Sequence, residues 1–367
     1  MDLHRLAAGL VVVGFEGTEV PAQVRSLVAQ GVFGAILFQR NIEGAAQVAR
    51  LNDALKREAG RPFVTCVDQE GGRVARLRGE PFTALPPMRA LGAQGDESLA
   101  FGAGALLARE VRAVGFDVDF APVLDVDTNP QNPVIGDRSL SRESQEVARL
   151  GLALARGIES EGVASCGKHF PGHGDTSQDS HLTLPSLPHS MERLRRVELV
   201  PFAAYARAKL AALMTAHVVF EALDPGVPAT FSRTVLTGLL RGELGFEGVL
   251  VSDDLEMKAI AQRFEMGEAG VRSVAAGADL LLVCHRADRQ EEVIDALSAE
   301  AARSAAFRAR VVEAARRVEA MARRFASAPQ GEAGLARLRQ PDHRSLAARL
   351  LQASAKGRDP TEPAKAT

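Results

Sequence analysis

Eight short apolar runs, most of them rich in β-branched residues, recur along this chain. They are Gly9–Phe15, Gly34–Phe38, Phe63–Val67, Val118–Val123, Val163–Cys166, Ala212–Ala216, Gly248–Ser252 and Asp279–Val283. Helical patterns lie between them, at Ala45–Glu58, Glu97–Val114, Ser144–Glu161, Met191–Arg207, Thr234–Leu244 and Glu265–Ala275. Most of the runs are apolar on both faces, as in parallel strands with helices on one side and packed side chains on the other. Eight strands alternating with helices predict an α/β fold, a (β/α)8 TIM-type barrel. A doubly wound open sheet would call for a glycine-rich turn directly after a strand. The nearest such element, Gly102-Ala103-Gly104, falls inside a helical pattern instead.

From Arg286 the chain turns Ala/Arg/Glu-rich, with Ala305–Phe325 the clearest helix, a break at Ser327–Gly334 and a last helix at Pro341–Ala355. Residues 1–325 are therefore expected to form the barrel. Residues 326–367 should add a helical extension and a frayed tail, Lys356–Thr367, which lacks large apolar residues. A net charge of −2 argues against nucleic acid or an anionic membrane as the main partner, since either would call for a basic face. No window reaches the apolar length of a membrane span. The apolar N-terminus, through Phe15, has weak leading charge and no clean cleavage site, so it reads poorly as a secretory signal. Cys66, Cys166 and Cys284 are widely spaced in apolar runs and read as buried reduced thiols. A cytoplasmic location is expected.

In a barrel, active sites gather at the carboxyl ends of the strands. Titratable residues follow five of the runs: Asp68; Asp125 and Asp127; Lys168 and His169; His217; and Asp253-Asp254. Asp253 reads plainly as a helix N-cap paired with Glu256, or functionally as a carboxylate nucleophile kept ionised by a helix N-terminus. The polar, glycine-rich stretch Cys166–Pro185 holds Asp179-Ser180-His181. It reads either as an Asx turn or as a carboxylate–imidazole dyad able to give and retrieve a proton. Lys168 and Arg138 are surface charges or hydrogen-bond donors to substrate hydroxyls.

His169, His173 and His181 invite a metal-dependent hydrolase, but His169 and His173 straddle Pro171-Gly172 and cannot share a helical face. Asp125-x-Asp127-x-Asn129 begins like a calcium loop and fails at Pro130, where glycine is required.

KHFPGHGDTSQDSH, with VDQEGGRVARL, FAPVLDVDTNPQNPVIGDRS, MTAHV and VSDDLEM, resembles the bacterial β-N-acetylhexosaminidases of glycoside hydrolase family 3, over about Leu10 to Phe325. More narrowly it resembles their single-domain cytoplasmic members, which act in peptidoglycan recycling. The resemblance implies a (β/α)8 barrel, Asp253 as nucleophile, and His181 as general acid/base assisted by Asp179. It further implies Asp68, Arg76, Arg138, Lys168 and His169 as the binding set for a terminal N-acetylglucosamine. The implied partner is a small carbohydrate or muropeptide, with no metal, no organic cofactor, no nucleic acid and no membrane. Oligomeric state stays open, with a monomer favoured. Substrate-assisted attack by the acetamido group and a catalytically silent sugar-binding protein remain the rival outcomes.

Overall fold

A computed structural model describes residues 2–179, 184–338 and 340–356, and the side chains among them up to residue 350. His181, and the expected tail from residue 357 onward, lie outside the described residues. Eight parallel strands form one sheet: β1 (Val11–Val13), β2 (Gly34–Ile36), β3 (Val64–Val67), β4 (Val118–Asp119), β5 (Ala164–Phe170), β6 (Ala212–Thr215), β7 (Val249–Val251) and β8 (Leu281–Val283). Their order is β8-β1-β2-β3-β4-β5-β6-β7, and a parallel bridge from Val251 to Leu280 closes the ring. This is the expected barrel, with each strand falling on one of the eight runs.

The strands are short because each needs only to cross a core filled from both sides. Val11, Val12, Val13, Val64 and Leu281 are fully buried. The apolar N-terminal stretch weighed as a secretory signal is a short helix, Leu3–Ala8, running into β1. β1 pairs with β8 on one side and β2 on the other.

Helices Glu97–Ala113 and Ser144–Ser160 pack closely, and glycine makes this possible. A Cβ on Gly104 would lie 2.1 Å from the Leu154 carbonyl oxygen, and one on Gly157 would lie 2.1 Å from that of Phe101. The glycines near residue 102 thus serve helix packing rather than a phosphate turn.

Two expectations change in detail. Met191–Arg207 is two helices, Met191–Arg196 and Leu199–Arg207. The fifth strand runs on past Cys166 to Phe170, so Lys168 and His169 belong to the strand and not to the loop after it. The last helix, Pro341–Lys356, docks against the barrel through His343, whose Nδ1 lies 3.1 Å from the buried Glu110 carboxylate. Glu110 also accepts hydrogen bonds from the backbone and hydroxyl of Thr83.

At the amino-terminal rim, buried Asp279 gathers Arg241, Arg310 and Arg317. Buried Asp117 gathers Lys56 and Arg112 in the same way. A cavity of about 670 Å³ also opens at this rim, beside Leu6, Gly31, Phe33, Val318 and Ala322. In a barrel this end ordinarily carries stability rather than chemistry. Among the described residues, no helix is long and apolar enough to cross a membrane.

Candidate active site

A second cavity, of about 450 Å³, opens at the carboxyl rim. Its walls include Asp68, Arg76, Arg138, Lys168, His169 and Asp253, six of the eight residues singled out in the sequence. Asp179 is half-buried in the loop after β5, and His181 lies outside the described residues.

The charged side of the cavity is built around a residue the sequence left without a role. Glu70 is 2% exposed. It takes a two-pronged contact from Arg138, at 2.9 and 2.8 Å, and Lys168 Nζ lies 2.6 Å away. Lys168 also donates to Asp68 at 2.8 Å, and Arg76 lies 3.5 Å from the other Asp68 oxygen. Burial alone would push the Glu70 carboxyl up. The two cations outweigh it and hold the group well below the usual carboxylate range. Lys168 is likewise held charged: burial opposes its ammonium, but Asp68 and Glu70 more than compensate. The cluster is therefore a fixed lattice of charges whose free donors and acceptors face the cavity, suited to a ligand rich in hydroxyls. The clue in the sequence was Glu70's place in VDQEGG, two residues past Asp68 at the same strand end.

Lys168 and His169 are neighbours on β5, yet both reach the cavity, because the β5–β6 register shifts between Gly167 and Phe170 and the usual alternation breaks there. Buried Asp125, read above as a strand-end acid and as part of a failed calcium loop, anchors this turn. It accepts from His169 Nδ1 at 2.7 Å and from the His173 backbone N–H at 2.7 Å. Burial raises its pKa, but the two histidines draw it below the ordinary value. With Nδ1 committed to Asp125, His169 has Nε2 left for a ligand. Asp127 pairs with Arg89 and Arg142 and is structural.

Asp253 follows β7. It is not a helix N-cap: the next helix, Lys258–Ala261, begins after Met257, and the segment between is a turn. The plain N-cap assignment therefore fails, and so does the helix dipole as the source of its charge. The two adjacent acids have separate tasks. Asp254 Oδ1 accepts from the backbone N–H groups of Glu256 and Cys284, at 3.1 and 3.2 Å, and Oδ2 lies 3.2 Å from His285 Nε2. His217 donates from Nε2 to the Asp254 carbonyl at 3.0 Å. Asp254 is thus bound into the rim, while Asp253, half-buried, lines the cavity beside Met214 and His173.

His173 is buried, and its Nδ1 lies 2.8 Å from the Thr176 hydroxyl. Burial, reinforced by His169, lowers its pKa to about 4, against the opposing pull of Asp125 and Asp253. A histidine whose folded pKa lies below its unfolded value near 6.5 takes up its proton only on unfolding across that window. Stability should therefore fall as pH drops from about 6.5 to about 4, and His173→Gln should flatten that fall. Urea midpoints measured along the pH series test this; an unchanged slope would show that His173 is not held neutral. Among the described residues, no group of three or more His, Cys, Asp and Glu is placed to hold a metal ion.

Fold and cavity together define a barrel whose carboxyl rim holds a half-buried carboxylate and a lattice of charged hydrogen-bonding groups in one cavity. Residues 5–321 match the glycosyl hydrolase family 3 N-terminal domain. A β-hexosaminidase of Pseudomonas aeruginosa is 44% identical over 295 residues, 79% of this chain and 86% of that protein. One from Neisseria meningitidis serogroup C is 42% identical over 303 residues, 80% of this chain and 82% of that protein. Among solved structures, a family 3 β-N-acetylglucosaminidase from Paenibacillus superposes with a TM-score of 0.89 at 42% identity, covering 96% of this chain and 69% of that one. NagZ from Neisseria gonorrhoeae, in complex with N-trifluoroacetyl-D-glucosamine, gives 0.79 at 33% identity, covering 94% and 98%. This chain belongs to glycosyl hydrolase family 3, and these relatives in that family are β-hexosaminidases and β-N-acetylglucosaminidases.

Proposed function

We propose that the protein is a retaining, exo-acting β-N-acetylhexosaminidase that hydrolyses terminal, non-reducing β-linked N-acetylglucosamine. The observation that carries this most directly is Asp253, which shares one cavity with the Asp68–Lys168–Glu70–Arg138 lattice. The lattice, with Arg76 and His169, holds the sugar hydroxyls, and Asp253 attacks the anomeric carbon. His181, oriented by Asp179, gives its proton to the leaving oxygen as the glycosidic bond breaks, leaving a covalent glycosyl–aspartate. Neutral His181 then takes a proton from water, whose oxygen displaces Asp253 and restores the original anomeric configuration. An imidazole can serve as acid near neutral pH without the desolvation that a carboxylic acid needs for the same role.

We further assign the substrate to N-acetylglucosaminyl-1,6-anhydro-N-acetylmuramic muropeptides of cell-wall recycling, handled in the cytoplasm. Residues 1–325 form the catalytic barrel in this scheme, and 326–367 form an extension.

Incubation with a 5-fluoro N-acetylglucosaminyl donor followed by peptide mapping tests the chemistry. A label on the peptide containing Asp253 is expected. Tight inhibition by a thiazoline without any label would instead favour attack by the substrate's own acetamido group.

A further inference from the structure

We propose that His189 is a positioning residue which, through Asp175, sets the placement of the loop carrying Asp179. This deepens the function just described and rests on its assignment of Asp179 and His181 as the acid/base pair.

The loop leaves β5 at Phe170 and returns at Ser186–Leu187. Its two stems are anchored to different parts of the barrel. The outgoing stem is tied to the segment after β4: a Cβ on Gly174 would lie 1.8 Å from the Val126 carbonyl oxygen, and Asn132 donates to the His173 carbonyl at 2.9 Å. The returning stem is tied to the segment after β6, where Ser186–Leu187 pairs in parallel with Val219–Phe220.

Among the described residues, His189 and Asp175 meet across the two stems. His189 Nε2 lies 2.6 Å from Asp175 Oδ2, with the imidazole only 14% exposed. The approach is off the line of a hydrogen bond, and Nε2 has no hydrogen-bonding partner among the described residues, so this carboxylate is what the ring faces. The other Asp175 oxygen accepts from the Thr128 hydroxyl at 2.7 Å. Arg193 stands 3.7 Å from Oδ2 but is engaged closer by, with Glu198 at 3.0 Å. Asp175 is thus fixed to the barrel on one side and meets the returning stem on the other. Asp179 lies in the chain between these two anchors.

A displacement of about 1 Å in a catalytic group costs on the order of 100-fold in rate. Loss of folded protein would lower activity on every substrate equally. Misplacement of a proton donor instead penalises only those leaving groups that need the proton.

The test is kcat/KM of His189→Ala on a 2,4-dinitrophenyl and on an alkyl N-acetylglucosaminide, with His189→Gln as the conservative variant. We expect a loss of roughly 10- to 100-fold on the alkyl glycoside and less than about threefold on the dinitrophenyl one. Gln, whose amide can still reach Asp175, should recover most of the loss. Equal losses on both substrates, no loss on either, or Gln no better than Ala would overturn the proposal. His181→Ala, measured on the same pair, separates the two assignments. If it shows no leaving-group discrimination, the acid/base pair is misassigned and the role of His189 falls with it. If it discriminates while His189→Ala does not, the role of His189 alone fails. Should His189→Ala not fold, Asp175→Asn is read by the same criteria.

Discussion

Asp253→Ala is expected to lower kcat by about 10⁴-fold or more, because in the proposed mechanism it removes the oxygen that bonds to the sugar. Sugar affinity should change little, since the lattice around Glu70 that would hold the hydroxyls is left intact. Asp254 should not take over: its oxygens are committed to Glu256, Cys284 and His285, and His217 holds its backbone carbonyl. Added azide should restore turnover by entering the space of the lost carboxylate, and it should give the α-glycosyl azide. Turnover within tenfold of the parent enzyme would assign the attack to the substrate's acetamido group instead.

The second large effect belongs to Glu70. Glu70→Ala leaves the Arg138 guanidinium and Lys168 ammonium buried without the carboxylate they share. Breaking such a buried pair by removing one partner costs roughly 3–5 kcal/mol of stability. KM should rise as well, since both cations are then free to move off the positions proposed to meet the sugar. Urea unfolding and steady-state kinetics read the two effects. A pH series adds a sign. The folded pKa of Glu70 is depressed, so its stabilisation is complete above the unfolded value of about 4.3 and is lost as pH falls through the lower folded value. Glu70→Gln should therefore lose less stability on acidification than the parent does. A stability near that of the parent at neutral pH would show that the lattice does not depend on Glu70.

The barrel could be read from the chain because its strands are apolar on both faces, a pattern that needs no partner to be recognised. Five strand ends with titratable residues were legible for a related reason: the rim follows directly from where each run stops. Glu70 escaped because its meaning depends on Arg138 and Lys168, which reach it only after the sheet has closed. Asp125 was missed in a similar way, its aspartate spacing suggesting a cation loop when its real partners are His169 and His173. At Asp253 local pattern misled: the Asp–Glu spacing looked like a helix start, while hydrogen bonds from Glu256 and Cys284 to Asp254 shape a turn instead. The strand limit at β5 was set too early because Gly167 and the polar pair after it look like loop, although both Lys168 and His169 remain in the strand.

The ring of strands is joined last between β7 and β8, where regular ladder pairing is sparse and side chains fill in. Ser252 donates its backbone N–H to the Leu280 carbonyl and accepts from Leu282 with its hydroxyl, and Asp254 accepts from Cys284. Asp253 lies between these two stitches. A molecule with this joint unzipped would keep most of its helices and its bulk, yet the carboxylate proposed to attack would have no defined address. Activity would vanish before spectroscopy registered much loss of structure.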